Sequence, residues 1–353
     1  MQRISRYVAR QVAAATLMVL GVLLGIDVIS GVIDQAGDLN NRYTVLSALW
    51  YMLLTVPSRI YGFLPFAALI GCLAGLGTLA TTSELIVIRT AGVSVVRILW
   101  MAIRPTLLLA LVGVLCAEYI GPPLKQAAES YRAVALEKDD IGISSYGLWH
   151  READRFIHFN AVQPNGELLG ITIFEMDAQR HLQSALFAKR AIYQGDHWLF
   201  EDVRETRFSA GKVERVEDAK RLWETQLSPQ LLNILVLEPR DLSISGLWRY
   251  VRFLREQGSN AGEYELAFWN KVLLPLAIVS LILVAASIVF GPLRQSTMGY
   301  RVFVGVLIGV VFRVSQDMLA PASLVFGFAP ILASAVPIGL SLLAGAFMLR
   351  RHA

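Results

Sequence analysis

The sequence predicts an α-helical membrane protein in which six transmembrane helices, arranged as three plus three, flank an inserted β-jelly-roll domain. Two observations support this fold class: six long apolar segments, and a polar, strand-patterned segment between the third and the fourth of them. Of the 353 residues, 55% are hydrophobic and only 17% are charged. A soluble core does not need apolar segments this long.

Each apolar segment can cross the hydrocarbon core, which takes about 20 mostly apolar residues. The predicted spans are Val12–Ile33, Leu46–Leu79, Ile98–Ile120, Leu266–Phe290, Val302–Leu319 and Leu324–Leu349. Three domains follow: an N-terminal transmembrane part over residues 1–120, an inserted domain with flanking helices over 121–265, and a C-terminal transmembrane part over 266–353. We expect Pro275 to kink the fourth span.

Basic residues predict the side of the membrane on which the inserted domain lies. They cluster in the N-terminal arm, in the connectors that follow the second and fourth spans, and in the C-terminal tail, for example Arg3, Arg6, Arg10, Arg350 and Arg351. The opposite connectors, Asp34–Leu49 and Ala320–Ser323, are poor in base. Because short basic loops stay inside, we expect both termini inside and the inserted domain outside. This bias explains the net charge of +4 better than nucleic-acid binding does.

The inserted segment alternates apolar runs with turn residues. The expected strands are Trp149–Ala161, Leu168–Met176, Leu182–Tyr193, Trp198–Ser209 and Lys212–Gln226, with turns at Pro164-Asn165-Gly166, Gly195-Asp196 and Ala210-Gly211. Short strands at near-regular spacing favour a sandwich or jelly roll. Leu169, Ile171 and Ile173 are expected to share one face. The domain has no cysteine, since Cys72 and Cys116 both fall in spans, so packing alone must hold its core.

Two helices are expected to join this domain to the spans. The first, Leu124–Leu136, continues from the third span. The second, Ser243–Gln257, has Ser243 or Ser245 as N-cap and Gly258 as C-cap.

Catalytic signatures are missing from the sequence. It has no P-loop motif, no H-E-x-x-H, no C-x-x-C and no G-x-S-x-G. The histidines of the inserted domain scatter over different strands: His150, His158, His181 and His197. Their spacing favours surface or hydrogen-bonded side chains over a metal site. We therefore predict neither an enzyme nor a metal site.

A short helix is predicted in the connector over about residues 81–92. Thr81 and Glu84 fit a capping box, Leu85 and Ile88 would share a face, and Gly92 would end the helix. Such a helix suits docking into a partner's groove, and a connector lying on the membrane surface suits the residues equally well.

Ionisable residues in or near the spans are a second signal, namely Asp27, Asp34, Arg59, Arg104, Glu118, Lys271, Arg313 and Asp317. Several lie near span ends, where snorkelling explains them. Arg313 and Asp317 lie four residues apart in the fifth span and could pair. Because charge in lipid costs several kcal/mol, we expect this pair to face protein or a wet cavity. Structural pairing and contact with cargo both remain open for it.

Several motifs occur in an order that points to a family. They are Ser83-Glu84-Leu85-Ile86-Val87 with Ala91-Gly92, Tyr146-Gly147-Leu148-Trp149, Leu242-Ser243-Ile244-Ser245-Gly246-Leu247 with Tyr250-Val251, and Phe290-Gly291-Pro292-Leu293-Arg294 with Met298-Gly299. On these residues the chain resembles, from end to end, the LptF/LptG family of lipopolysaccharide export system permeases.

The resemblance implies a permease subunit of an ABC transporter that extracts lipopolysaccharide from the bacterial inner membrane and passes it to a periplasmic protein bridge. A dimer of the ATPase LptB would bind ATP and magnesium, so no cofactor is expected in this chain; LptF and LptC would be further partners. The resemblance makes residues 81–92 the coupling helix, with Glu84, Leu85, Ile88, Arg89 and Gly92 as ATPase-coupling residues. It also implies cytoplasmic termini and a periplasmic jelly roll.

The same resemblance raises the question of which residues of this chain contact the phosphates of the lipid. Family members often carry lysines late in the first span, and this sequence has none there. The candidate lipid-contacting residues are therefore Asp34, Arg42, Arg59, Arg313 and Asp317. Two other functions were weighed: a non-transporting membrane scaffold or signalling subunit, and an ion-coupled carrier. The carrier would need midplane acids, whereas Asp27, Asp34 and Asp317 lie mostly near span ends.

Overall fold

The computed structural model describes residues 2–40, 42–136, 148–152, 154–162, 166–177, 179, 181–209, 212–223, 225, 238–256, 260–291 and 296–352. The predicted turn residues Pro164-Asn165 and Ala210-Gly211, the C-cap Gly258, and the motif residues Tyr146-Gly147 and 292–294 lie outside this part. The chain divides into two compact units. The helical unit comprises residues 1–29, 56–120 and 243–353, and the β unit comprises residues 30–55 and 121–242.

Helices account for most of the described residues. They are α1 (Gln2–Asp34), α2 (Val45–Thr81), α3 (Glu84–Thr90), α4 (Val95–Leu115), α5 (Gly121–Leu136), α6 (Ile244–Glu256), α7 (Gly262–Val272), α8 (Leu274–Phe290), α9 (Met298–Phe326) and α10 (Pro330–His352). Short 3₁₀ turns cover Gln35–Asp38 and Pro239–Asp241.

By length and apolar composition, five helical stretches can cross a membrane: α1, α2, the continuous α4–α5, α9 and α10. The pair α7 and α8 passes the same test when it is taken as one span, bent by 52° at a short break. With that pair counted, the described chain has the six spans that the sequence predicts. Pro275 lies in the first turn of α8, so the kink of the fourth span falls where it was expected.

The third span continues without a break into the inserted segment. A single π-helical turn, Cys116–Ile120, joins α4 to α5. Ser94 caps α4, and its hydroxyl accepts a hydrogen bond from the backbone N–H of Arg97. The predicted continuation over Leu124–Leu136 is thus confirmed, as part of a longer helix.

The predicted boundary between the fifth and the sixth span is wrong. The connector expected at Ala320–Ser323 is helical, and α9 runs on to Phe326 before the chain turns at Gly327. Gly327 has a φ of +70°, and its backbone N–H donates to the carbonyl of Ser323. A left-handed residue after the last turn is the usual way to end a helix, and glycine adopts it without strain. A short run of small, uncharged residues does not end a helix by itself.

The β unit contains a six-stranded antiparallel sheet. Its strands are β1 (Leu148–Glu152), β2 (Arg155–Val162), β3 (Leu168–Met176), β4 (Leu182–Tyr193), β5 (Trp198–Ser209) and β6 (Lys212–Trp223), and they lie side by side in chain order. The predicted helical membrane protein with an antiparallel β insert is confirmed. The single strand expected over Trp149–Ala161 is wrong, because these residues form two strands, β1 and β2, that pair with each other. Over the described residues the strands form a meander, and the crossover connections of a complete jelly roll are not among them.

One face of the sheet forms an apolar core. Its members are Ile157, Phe159, Leu168, Ile171, Ile173, Ala188, Ala191, Trp198, Phe200, Val203 and Trp223. The prediction for β3 was wrong at one position, because Leu168 rather than Leu169 is buried with Ile171 and Ile173. Gly170 interrupts the alternation with a φ of +60°, and a Cβ there would collide with the side chain of Asn160.

In the helical unit, α1 packs closely against α2. A Cβ on Gly71 would lie 2.5 Å from the Cα of Thr16, and a Cβ on Gly75 would lie 2.9 Å from the Cα of Val12. Val12 and Thr16 are fully buried. Small residues four apart let two helix backbones approach in this way. The contact therefore depends on the two glycines.

Candidate functional site

The first candidate site is α3, a short helix between two sharp changes of chain direction. Ser83 before it and Gly92 after it have φ values of +60° and +86°. The sequence predicts a helix over about residues 81–92 with Thr81 in a capping box; the structure has the helix over Glu84–Thr90, and the capping box is not formed. The hydroxyl of Thr81 donates instead to the carbonyl of Thr78, 2.8 Å away. Thr81 is still in the last turn of α2, where a threonine hydroxyl readily bonds the preceding turn.

The two faces of α3 differ in their surroundings. Leu85 and Ile88 share a face, as predicted, but this face packs into the core of the helical unit. Ile86 and Val87 are 42% and 65% exposed, and Arg89 is also exposed. The surface that α3 offers to another molecule is therefore made by Ile86, Val87 and Arg89, two of which the sequence analysis did not select.

A cavity of about 330 Å³ lies beside α3. Its lining comes from the end of α2, from α3 and from the end of α8, namely Ala80, Leu85, Ile86, Arg89, Thr90, Val289 and Phe290. The Arg89 guanidinium carbon lies 5.9 Å from the centre of the Phe290 ring, in a cation–π arrangement. On α1, the side chain of Tyr7 lies near the carboxylate of Glu84.

The charged residues of the spans form two ion pairs in the helical unit. Arg59 Nη1 lies 2.7 Å from Asp27 Oδ2, joining α2 to α1, with both side chains partly buried. Arg313 Nε lies 2.8 Å from Asp317 Oδ2 on α9, so the predicted pairing is confirmed. Both side chains of the second pair are more than half exposed, at 54% and 58%. Of the two surroundings expected for this pair, protein and a wet cavity, protein of the described chain is therefore excluded.

The other two candidate lipid contacts lie in the β unit. Asp34 ends α1 and is exposed, and Arg42 is exposed in the connector that leads to α2. The backbone N–H groups of Arg42 and Tyr43 both donate to the side-chain oxygen of Asn40. That pair of hydrogen bonds orders the turn on which Arg42 stands.

The structure also reveals a charged cluster in the β unit that the sequence analysis missed. Lys125 Nζ lies 2.9 Å from Glu129 Oε1, and the Tyr51 hydroxyl donates to the same carboxylate at 2.7 Å. Arg132 Nη2 lies 2.6 Å from Asp38 Oδ2. The spacing of Lys125, Glu129 and Arg132, four and then three residues apart, places them on one face of α5. That spacing was the available signal.

The end of the third span makes one further polar contact. The carboxylate of Glu118 accepts hydrogen bonds from the backbone N–H groups of Ile244 and Ser245, at 2.7 and 3.3 Å. The hydroxyl of Ser243 accepts from Gly246 at 3.0 Å, as expected of the N-cap. Glu118, which the sequence suggested was a snorkelling residue, thus holds the start of α6.

The histidines of the sheet do not converge on one another. His158 is 1% exposed, and burial lowers its pKa. His181 contacts Asp177, and His197 contacts Asp196. Among the described residues, no group of three or more His, Cys, Asp or Glu side chains could hold a metal ion.

Long apolar helices, an inserted antiparallel sheet and a short exposed helix between two spans define a multi-pass membrane protein of the permease class. Comparison with known proteins gives the family: residues 6–351 match the model for "Lipopolysaccharide export system permease LptF/LptG". The chain is similar to the permease protein LptG of Escherichia coli K12, with 33% identity over 99% of this chain and 98% of that protein. It is also similar to LptG of Haemophilus influenzae, with 31% identity over 95% of this chain and 94% of that protein. The chain belongs to the LptF/LptG family.

Proposed function

We propose that the chain is the permease subunit of an ABC transporter that extracts lipopolysaccharide from the bacterial inner membrane. The two relatives are lipopolysaccharide export system permeases, and this chain matches nearly their full length. ATP hydrolysis is supplied in trans by a dimer of LptB, which binds ATP and magnesium; LptF is the sister permease and LptC a further subunit. The termini and α3 lie in the cytoplasm, and the β unit lies in the periplasm. The basic connectors support this orientation.

The physical need for such a machine follows from the cargo. Moving a lipid chain from the bilayer into water costs about 0.8 kcal/mol per methylene, so a chain of about ten methylenes costs on the order of 8 kcal/mol. A glycolipid with several chains therefore requires an energy source and an apolar path. In this proposal the helical unit supplies the site of extraction, and the apolar face of the sheet supplies the path.

The observation that carries the proposal is the exposed apolar surface of α3. Ile86 and Val87 are exposed beside Arg89, next to the cavity that Phe290 helps to line. We propose that this surface docks on the ATPase. Leu85 and Ile88 act indirectly, by fixing α3 on the core, while Glu84 and Gly92 set the start and the end of the helix.

The cargo path is proposed to use the charges of the two units. An exposed ion pair such as Arg313–Asp317 is costly against lipid tails, so another polar group should cover it. A lipid phosphate is one such group, and it would replace Asp317 as the negatively charged partner of Arg313. Arg59 is proposed as a second phosphate contact, and Asp34 and Arg42 as contacts in the β unit.

The first test is purification of the chain from native membranes in mild detergent, followed by mass spectrometry of what accompanies it. We expect an ATPase, a sister permease and lipopolysaccharide. Recovery with ordinary phospholipid and no ATPase would instead support a membrane scaffold.

The second test compares Arg89→Ala with Arg97→Ala in the same preparation. Both changes remove an exposed arginine, but Arg97 lies on α4, outside α3. We expect only Arg89→Ala to reduce recovery of the ATPase. Equal recovery with both variants would contradict docking through α3.

A further inference from the structure

Arg301 is a fully buried arginine in the helical unit. The charge pattern of the sequence places it in a basic connector, but the structure places it in the first turn of α9 with no exposed surface. Its Nη1 donates a hydrogen bond to the backbone carbonyl of Gly77, 2.6 Å away on α2. Burying a guanidinium is expensive unless its hydrogen bonds and charge are satisfied. The hydrogen bond to Gly77 is one contact that meets this need, and it ties the start of α9 to α2.

The acceptor lies where α2 ends. Gly77 is four residues before Thr81, the last residue of α2, and α3 begins at Glu84. The carbonyl end of a helix carries a partial negative charge, so a cation there is favourable. Arg301 therefore binds the last turns of α2, immediately before the chain enters α3.

Arg301 also ends a line of close contacts between α9 and α2. Gly305 and Gly309 follow it at intervals of four residues and lie on the same face of α9. A Cβ on Gly305 would lie 2.4 Å from the side chain of Leu73, and one on Gly309 would lie 2.9 Å from the ring of Phe66. The contacts run antiparallel along α2 from Phe66 to Gly77, so Arg301 holds the end of this line that is next to α3.

We propose that Arg301 is a positioning residue that locks the start of α9 to the end of α2, so that α3 and α9 move as one body during lipid extraction. The inference rests on the proposed docking of the ATPase on α3. Exposed Arg313 and Asp317 lie further along the same helix, so a movement received at α3 reaches the ion pair through α9. A lysine would place a compact, strongly hydrated ammonium in this buried position, so the exchange of arginine for lysine is not conservative here.

The first experiment measures lipopolysaccharide released per ATP hydrolysed by the reconstituted complex. We compare Arg301→Met with Arg350→Met, which removes an exposed arginine at the end of α10. For Arg301→Met we expect normal assembly, ATPase activity within about twofold, and about tenfold less lipid released per ATP, typical of a lost coupling interaction. Arg350→Met should behave as wild type. A proportional fall of release and ATPase activity, or no fall, would overturn the proposal.

The second experiment reads the movement directly and keeps the test valid if Arg301→Met fails to assemble. Spin labels at Ala91, the C-cap of α3 outside the proposed docking surface, and at Leu307 on α9, both exposed, report their distance by pulsed electron paramagnetic resonance. In the wild-type complex we expect one narrow distance that is the same without nucleotide and with ATP. In Arg301→Lys, which replaces the guanidinium by a shorter and more strongly hydrated ammonium, the distribution should broaden and release per ATP should fall. A wild-type distance that changes with nucleotide, or a lysine variant that matches wild type, would overturn the proposal.

A wrong docking surface and a wrong role for Arg301 give different results. If the ATPase does not dock on α3, Arg89→Ala keeps its full recovery of the ATPase. If only the role of Arg301 is wrong, wild type releases lipid and the Arg301 variants keep the full yield per ATP.

Discussion

Arg59 on α2 and Asp27 on α1 form an ion pair, with Nη1 of Arg59 2.7 Å from Oδ2 of Asp27. From the sequence, Arg59 is a candidate phosphate contact and Asp27 a separate charge near a span end. In the structure their opposite charges nearly cancel, and the ion pair also links α1 to α2. Any phosphate that binds Arg59 must compete with Asp27.

The first prediction concerns this pair. Asp27→Asn removes the charge that pairs with Arg59 between α1 and α2, so we expect the purified complex to lose about 2 kcal/mol of stability. The thermal unfolding midpoint in detergent measures the loss. Asp27→Arg combined with Arg59→Asp restores the pair and should recover most of it. If the double exchange is as unstable as the single change, the ion pair is not what holds the two helices.

The second prediction concerns the approach of α1 to α2. Gly71→Ala places a Cβ 2.5 Å from the backbone of Thr16, so the helices must move apart at a cost of about 1–3 kcal/mol. Gly62→Ala is the matched control on α2, because no atom lies within 4 Å of its added Cβ. Alanine also favours a helix over glycine, so the control should be neutral or stabilising. Equal thermal midpoints for the two variants would refute the close contact.

The third prediction concerns the carboxylate at the start of α6. Glu118→Ala removes the acceptor for two backbone N–H groups, and loss of a helix cap costs about 0.5–2 kcal/mol. Hydrogen exchange should therefore speed up at Ile244 and Ser245 while the amides of β3 stay protected. Glu118→Gln keeps an acceptor oxygen and should fall between alanine and wild type. Unchanged exchange in the alanine variant would show that other groups satisfy these amides.

The fourth prediction concerns pH and the buried His158. Burial lowers its pKa in the folded state, whereas in the unfolded chain its pKa is about 6.5. Above about pH 6.5 the imidazole is neutral in both states and stability does not depend on it. As the pH falls below that value, the unfolded state binds the proton first, so the free energy of unfolding decreases.

The measurement for His158 is thermal unfolding between about pH 5 and 8. We expect the midpoint to drop towards acid in wild type and to drop less in His158→Phe, which cannot take up a proton. His181→Phe is the control, because His181 is an exposed histidine of the same sheet. If His158→Phe keeps the full pH dependence, another group is responsible for it.

Sequence alone determined the architecture and the family. The length of a span and the alternation of a strand depend only on residues that are close together in the sequence, so both can be predicted without knowing how the chain packs. The same is true of two local endings, since the end of α3 near Gly92 and the cap at Ser243 follow from residues a few positions apart. The start of α3 at Glu84 did not follow in this way, because Thr81, the expected cap, belongs to the last turn of α2.

Only the tertiary structure decided which charges meet and which faces are open. Leu85 and Ile88 look like a docking face in the sequence, yet packing against the core leaves Ile86 and Val87 outside. Arg301 looks like a loop charge, yet it is buried against Gly77 of a helix more than 200 residues away in the chain. Such pairings depend on how helices distant in sequence pack, since contact between their side chains is set by interhelical geometry that local periodicity does not encode.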